Sequence, residues 1–452
     1  MQMDPRSRLT RRSFLKKTAG AVAGLAFPLI VSPSALGLGW RPAPSNRIAM
    51  GSIGLGGQGD RDMRTFLGMA DVQIVALCDV DRGSTRYEAG WLRGLEPALE
   101  TVRQYYAARK TSGTYRGCDA YEDFRELLAR DDIDAVHIAT PDHWHCIMVV
   151  EAARAGKDIY CQKPFSLTIA DGRTATDAVA RYGRIFQCGS QRRSSAGCRF
   201  SCELVRNGRI GRLHTVKVGL PGGYWNRRDF GPTQEPEPVP AGFNYDLWLG
   251  PAPMAPYNLH RCHFTFRWNL DYSGGNITDW GAHFIDMAHW GMGTEYTCPI
   301  EIEARGEFPN PGNIWNAATS YHFEALYANG VRMIGGSDLG FNGVIFEGTD
   351  GWVELDGATN PPSLARSTIG PNEIHLYKSR DQHGNFIECV KSRKQTCAPA
   401  EVAHRSITVA HLANISMLTG RKLKWDPARE IFPDDPDANR LLSRPKRAPW
   451  RL

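Results

Sequence analysis

Nowhere in this 452-residue chain does an uninterrupted apolar run reach the ~18 residues of a membrane span, which excludes a stable spanning helix. Charge of one sign is scarce too. The formal net charge is +6, but residues 1–35 hold six Lys or Arg against one acid, and the remainder balances 48 basic side chains against 47 acidic ones. That balance gives no electrostatic reason to expect nucleic acid as a partner. The 11 cysteines follow no repeated spacing, so neither a disulfide framework nor a zinc module is written in them. No internal repeat is present, and Gly and Pro fall irregularly, which excludes collagen-like and coiled-coil chains. Disorder is excluded by 12 Trp, 15 Tyr and 18 Phe spread along the length. What remains is an ordinary globular composition, 42% apolar and 23% charged, long enough for two or three domains.

The basic surplus belongs to a leader. Thr10-Arg11-Arg12-Ser13-Phe14-Leu15-Lys16-Lys17 precedes a mild apolar stretch from Thr18 to Val31. A basic start and a short apolar segment read as an export signal, and the Arg pair before Phe-Leu-Lys resembles a twin-arginine signal. Residues 1–35 are the expected signal, with cleavage near Ala35 and a periplasmic or other extracytoplasmic destination. A protein on that route folds first in a reducing compartment, so most thiols are expected free and several buried. The same route suits a protein that captures its cofactor before export.

From Asn46 onward, short apolar runs alternate with amphipathic stretches. Strands are expected at 47–53, 72–78, 134–140 and 158–161, and helices at about 60–68, 84–112, 121–128 and 147–155, with a last helix–strand pair over 168–188. Such alternation means a parallel, doubly wound sheet, since each parallel crossover needs a helix. After Ser190 strands follow one another, at 214–220, 320–328, 331–336 and 351–355, which points to a mostly antiparallel sheet with a few helices. The expected fold class is therefore α/β: a doubly wound parallel domain over 46–190, a mostly antiparallel sheet with a few helices over 191–430, and a surface tail over 431–452.

Gly54-x-Gly56-x-x-Gly59 lies between a strand and a helix pattern, and Asp79 follows 20 residues later at the end of the next strand. Glycines there provide the tight turn, close approach of a pyrophosphate and close helix–strand packing. Gly54, Gly56, Gly57 and Gly59 are the expected phosphate cradle, and Asp79 the acceptor for ribose hydroxyls. An acid at that position favours NAD over NADP, while Arg82 leaves room for NADP. Without a nucleotide, the same segment would be a structural turn.

Ala139-Thr140-Pro141-Asp142-His143-Trp144-His145 and Cys161-Gln162-Lys163-Pro164 each close a strand and so reach the same crevice. Thr140, Pro141 and His145 are expected beside the cofactor. Lys163 there can polarise a substrate oxygen; otherwise it is a solvated lysine, and His143 and His145 are satisfied loop residues. The glycine loop, the Thr-Pro-x-x-x-His segment and the Lys-Pro dipeptide together resemble the Gfo/Idh/MocA oxidoreductases, the glucose–fructose oxidoreductase and inositol dehydrogenase family. The resemblance implies a Rossmann domain over 46–190 followed by an α/β domain with an open, mostly antiparallel sheet over 191–430, that Lys163 contacts cofactor and substrate, and that the open sheet forms contacts in a homodimer or homotetramer. One position departs from it, since Gln162 stands where the family has Glu.

Residues 273–291 read as a helix starting near Asn276 or Thr278 and ending at Gly291, with Asp279, His283 and Asp286 on one face. A histidine oriented by a carboxylate is what zinc-free alcohol oxidation needs, and the Asp-x-x-x-His spacing matches the family's catalytic pair. Asp279 is expected to orient His283. Arg267, Trp268 and Tyr272 suit a polyhydroxylated ring, with Arg193 at the domain junction; ordinary aromatic packing is the alternative. His143-x-His145, His260, His263 and His289 supply no set of three ligands, so no metal is expected. The expected activity is hydride transfer between NAD(P) and a secondary hydroxyl of a sugar, glycoside or polyol, with a bound and recycled cofactor. Redox-neutral glycoside cleavage or epimerisation on bound NAD is the alternative, and a non-catalytic sugar-binding protein the next.

Overall fold

A computed structural model describes residues 42–87, 90–110, 112–224 and 235–452. The expected signal, and residues 231–234 of a Pro-rich loop, lie outside the described residues. The chain divides into Met1–Arg47 and a compact unit Ile48–Leu452, and both sheets belong to the latter.

The first sheet contains β1 (Ile48–Ile53), β2 (Val72–Cys78), β3 (Asp119–Tyr121), β4 (Ala135–Ile138), β5 (Asp158–Cys161) and β6 (Phe186–Cys188), in the order β3-β2-β1-β4-β5-β6. Every neighbouring pair is parallel. The strands are short apolar runs because helices cover both faces and leave no side of the sheet for water. The order reverses beside β1, where β1 neighbours β4, and this places a crevice at the carboxyl ends of those strands.

The second sheet contains β7 (Leu213–Gly219), β8 (Glu301–Glu307), β9 (Ser320–Leu326), β10 (Arg332–Gly336), β11 (Gly343–Gly348), β12 (Gly351–Glu354), β13 (Thr359–Asn360) and β14 (Leu423–Lys424). Its order is β13-β12-β11-β7-β10-β9-β8-β14, antiparallel except for β7 with β10. The helices Asn276–Met292 and Ala400–Thr419 pack on each other and on this sheet, and the latter also reaches β6 of the first. Both are buried almost all round, so Ala400–Thr419 carries little polar–apolar contrast for a pattern to reveal.

Three expectations change. The helix sought over 84–112 begins only at Leu95, because Gly94 at φ +116° turns the chain into it. The helix sought from residue 147 begins at Asp142, so the second cluster forms a helix N-terminus. Residues 431–452 are not a loose tail. Trp450 stacks on Phe124 and meets Trp144 edge-on, Lys446 pairs with Asp171 and Arg447 with Asp246, so the segment straps the two halves together. All 11 cysteines are free and buried. Among the described residues, no helix is long and apolar enough to cross a membrane.

Candidate active site

The turn after β1 is held by the Gly54 amide donating to the Cys78 carbonyl, at 2.9 Å. Gly54 has φ +83°, and a Cβ there would lie 2.6 Å from the Ala139 carbonyl oxygen. A Cβ on Gly59 would come 2.0 Å from the Gly54 oxygen, so the helix Gly57–Gly68 can press this closely on the strand only without side chains. No side chain caps that helix at Gly56, which leaves its first amides and the positive end of its dipole facing the crevice.

Asp79, at the end of β2, is buried and accepts from the Leu55 amide at 2.6 Å and the Asp81 amide at 2.9 Å. The Tyr87 hydroxyl lies 3.4 Å from it. Burial pushes the Asp79 carboxyl up to about 6, against the pull of those amides. Gly54, Gly56, Gly57 and Asp79 line one cavity of about 490 Å³, which continues past Thr140 and Pro141 to Lys163, Asp279 and His283. These residues fit a dinucleotide: bare amides and glycines for the pyrophosphate, and an acid at the second strand end for the ribose.

At the far end, Lys163 Nζ donates to Asp279 Oδ1 at 2.6 Å, and Arg267 Nε lies 3.6 Å from the same oxygen. The Lys163 and Arg267 charges hold Asp279 down at about 2 although burial opposes ionisation. Asp279 therefore fixes Lys163. The expectation that it orients His283 is corrected, because the imidazole Nδ1 is buried without a hydrogen-bond partner. Burial, and then the nearby Lys163 charge, push His283 down to about 3, so its ring is neutral at ordinary pH.

Arg267 lines the cavity as expected, but three residues assigned to substrate do not. Arg193 is 2% exposed and grips Asp286 with two bonds, at 2.7 and 2.8 Å, while pairing Glu295 at 2.8 Å; it is a core ion cluster. Trp268 packs against Trp315 and Tyr224 beneath the surface, and Tyr272 is enclosed by Trp248 and His143. Two cofactor assignments become supports as well. Gly59 serves helix packing, and His145 braces two loops, with Nδ1 2.6 Å from the Pro164 carbonyl and Nε2 2.8 Å from that of Thr140. Gln162, the position departing from the family, donates to buried Asp62 at 2.6 Å. Asp62 also takes His383 at 3.0 Å and Gln58 at 2.8 Å, so a carboxylate sits one residue behind the amide.

Sequence reasoning gave no role to Asp142 or Tyr87, both in the cavity wall. The signal for Asp142 was its place directly after Thr140-Pro141; Tyr87 lay in a stretch read as helix. A segment of the second half also covers the nucleotide end. Arg82 donates to Gly242 and Asn244 to Val80, while His263, at φ +54°, sets its ring 4.7 Å from that of Tyr87.

A parallel sheet with a bare glycine turn, an acid at the next strand end and a lysine–carboxylate–imidazole group in one cavity defines an NAD-binding oxidoreductase. Two family models match, the oxidoreductase NAD-binding Rossmann fold over residues 48–190 and the oxidoreductase C-terminal alpha/beta domain over 199–452, and the chain belongs to the Gfo/Idh/MocA family. It is 26% identical over 332 residues to the uncharacterized oxidoreductase YrbE of Bacillus subtilis, covering 68% of this chain and 83% of that protein. It is 32% identical over 162 residues to a glycosyl hydrolase family 109 protein of Solibacter usitatus, covering 35% of this chain and only 34% of that one. Its fold is similar to that of an aldose-aldose oxidoreductase from Caulobacter crescentus complexed with glycerol (TM-score 0.58, 19% identity, covering 84% and 99% of the two chains). A scyllo-inositol dehydrogenase from Lactobacillus casei with bound NAD(H) and scyllo-inositol is also similar (TM-score 0.55, 17% identity, 84% and 99%).

Proposed function

We propose that the protein transfers hydride between a retained NAD and a secondary hydroxyl of a sugar, glycoside or polyol. The observation that carries this is the Lys163–Asp279 pair at 2.6 Å in the wall of the cavity that begins at the glycine turn and also contains His283. When bound, NAD supplies the hydride acceptor. Lys163, anchored by Asp279, donates to the substrate oxygen and offsets the negative charge that develops there as the hydroxyl proton leaves. His283, neutral and unpartnered at Nδ1, is placed to take the hydroxyl proton, and the Asp279 charge offsets part of the cost that burial and Lys163 set on the imidazolium. Arg267 adds a second cation at the carboxylate and a donor to the cavity wall.

Retention of the cofactor is supported by the cover that residues 242–263 place over the Asp79 end. It fits the twin-arginine-type leader, because outside the cytoplasm no nicotinamide pool replaces a lost cofactor. The free cysteines agree with folding before export to the periplasm. A homodimer or homotetramer built through the open sheet belongs to the same reading. Redox-neutral glycoside cleavage is the second reading, favoured by the partial likeness to the family 109 glycosyl hydrolase and by the additional carboxyl of Asp142 in the cavity.

The test is to purify the mature chain, look for nicotinamide absorbance travelling with it, and add a panel of sugars and polyols. One equivalent of reduction without turnover supports two-substrate recycling. Product without net absorbance change supports the redox-neutral reading, and a protein that neither carries nor binds NAD overturns both.

A further inference from the structure

Asp142 opens the helix Asp142–Arg154, directly after β4, and lines the cavity together with Lys163, Arg267, Asp279 and His283. It is 4% exposed. Asp123, Asp381 and Asp435 cap their helices by accepting backbone amides. Asp142 stands one position too late for that, because Pro141 is the cap residue and no side chain closes the first turn.

Lys163 faces Asp142 from the loop after β5, Arg267 from the turn His263–Trp268, and Asp279 from the helix Asn276–Met292, with the Ser273 hydroxyl beside it. On its own helix, His143 sits 3.0 Å from the Trp248 carbonyl and is held neutral by burial. Both cations are engaged by the Asp279 carboxylate, at 2.6 and 3.6 Å, and the charge of Asp279 opposes a second anion. Two carboxyls share the cavity; the ion pairs are made to Asp279, and Lys163 and Arg267 reach Asp142 only through their charge.

We infer that Asp142 is a substrate-contacting residue whose carboxylic-acid form donates a hydrogen bond to a second oxygen of a polyol or glycoside, beside the oxygen held by Lys163. The inference rests on the hydride-transfer reading for the identity of the ligand. Burial pushes the Asp142 carboxyl up to about 7, which agrees with this division of labour. A carboxylic acid is a stronger donor than a hydroxyl, and in a dry wall it discriminates against ligands that lack the matching oxygen. Substrates with vicinal oxygens are therefore favoured over simple secondary alcohols.

The test uses infrared difference spectra of the full, cofactor-loaded protein, titrated from pH 5 to 9, with Asp142→Asn as reference and glycerol and scyllo-inositol as probes. A carboxylic-acid band missing from the Asp142→Asn spectra, fading with a midpoint near 7 and shifting when a probe is added, is the expected result. In parallel, kcat/KM of the wild type falls about tenfold per pH unit above that midpoint, while Asp142→Asn, whose amide still donates, stays flat and Asp142→Ala raises KM. A carboxylate already ionised at pH 5, or a band that no probe moves, overturns the proposal. Reduction of bound nicotinamide by the same probes shows whether the hydride-transfer reading survives that failure or falls with it.

Discussion

Two buried aspartates share one cavity, held at about 2 and about 7, and the ion pair with Lys163 is what most separates them. Asp279 differs from Asp142 in having Lys163 and Arg267 on its carboxylate. Replacing Lys163 by Met removes the nearer cation and leaves Arg267 at 3.6 Å. A neighbouring cation depresses an aspartate by about one to three pH units, so Asp279 rises by that much in the variant, with Asp142 as its ceiling. At about 1.4 kcal/mol per unit, the variant loses about 1.4–4 kcal/mol of stability at neutral pH. Because the folded-state value lies below the unfolded one, near ~3.9, this stabilisation is complete above that value and is lost as pH falls through about 2. Urea unfolding of wild type and Lys163→Met between pH 8 and pH 3 measures it. The difference should be largest at neutral pH and should shrink below about pH 4. No difference at neutral pH, or the same difference at pH 3, would refute the assignment of the pair.

Arg193→Met leaves the buried carboxylates of Asp286 and Glu295 without their cation and should cost about 3–5 kcal/mol in urea unfolding, with the KM for substrate unchanged in whatever folds. A raised KM at unchanged stability would restore Arg193 to the substrate site. Gly59→Ala drives a Cβ to 2.0 Å from the Gly54 oxygen, so NAD affinity measured by titration should collapse along with about 1–3 kcal/mol of stability. Asp79 must be ionised to accept ribose hydroxyls, and its value is raised to about 6, so NAD affinity should decline toward tenfold per unit below that pH. Affinity that is flat from pH 5 to 8 would contradict its role.

How legible the site was depends on which interactions are local. Val72–Cys78 and Asp158–Cys161 read residue for residue as strands, since each is an apolar run bounded by turn-forming or charged residues. The helix Asn276–Met292 was found from its acid–imidazole spacing, but its caps were misplaced: Gly275 precedes it without a side-chain cap, and Gly293 at φ +73°, two residues past the expected Gly291, ends it. Spacing along a helix could not show that Lys163, 116 residues earlier, takes the Asp279 carboxylate before His283 can. Nor could residue type separate Arg267, in an aromatic segment and facing the cavity, from Arg193, at the domain junction and closing a buried cluster. Gln162 looked like a lost charge; the fold shows Asp62 behind it, on a helix whose sequence pattern gave no hint of the contact.

A single-turnover experiment reaches furthest into the account. Protein loaded with NAD is mixed with a polyol deuterated at its carbinol carbons, and deuterium on the nicotinamide is followed in wild type and in His283→Asn. The wild type should carry deuterium from substrate to the nicotinamide, and His283→Asn should bind NAD normally yet transfer it at least a hundredfold more slowly, roughly the contribution of a general base. Transfer at the wild-type rate in the variant would show that the imidazole takes no part, and the lysine–carboxylate–imidazole assignment would be wrong.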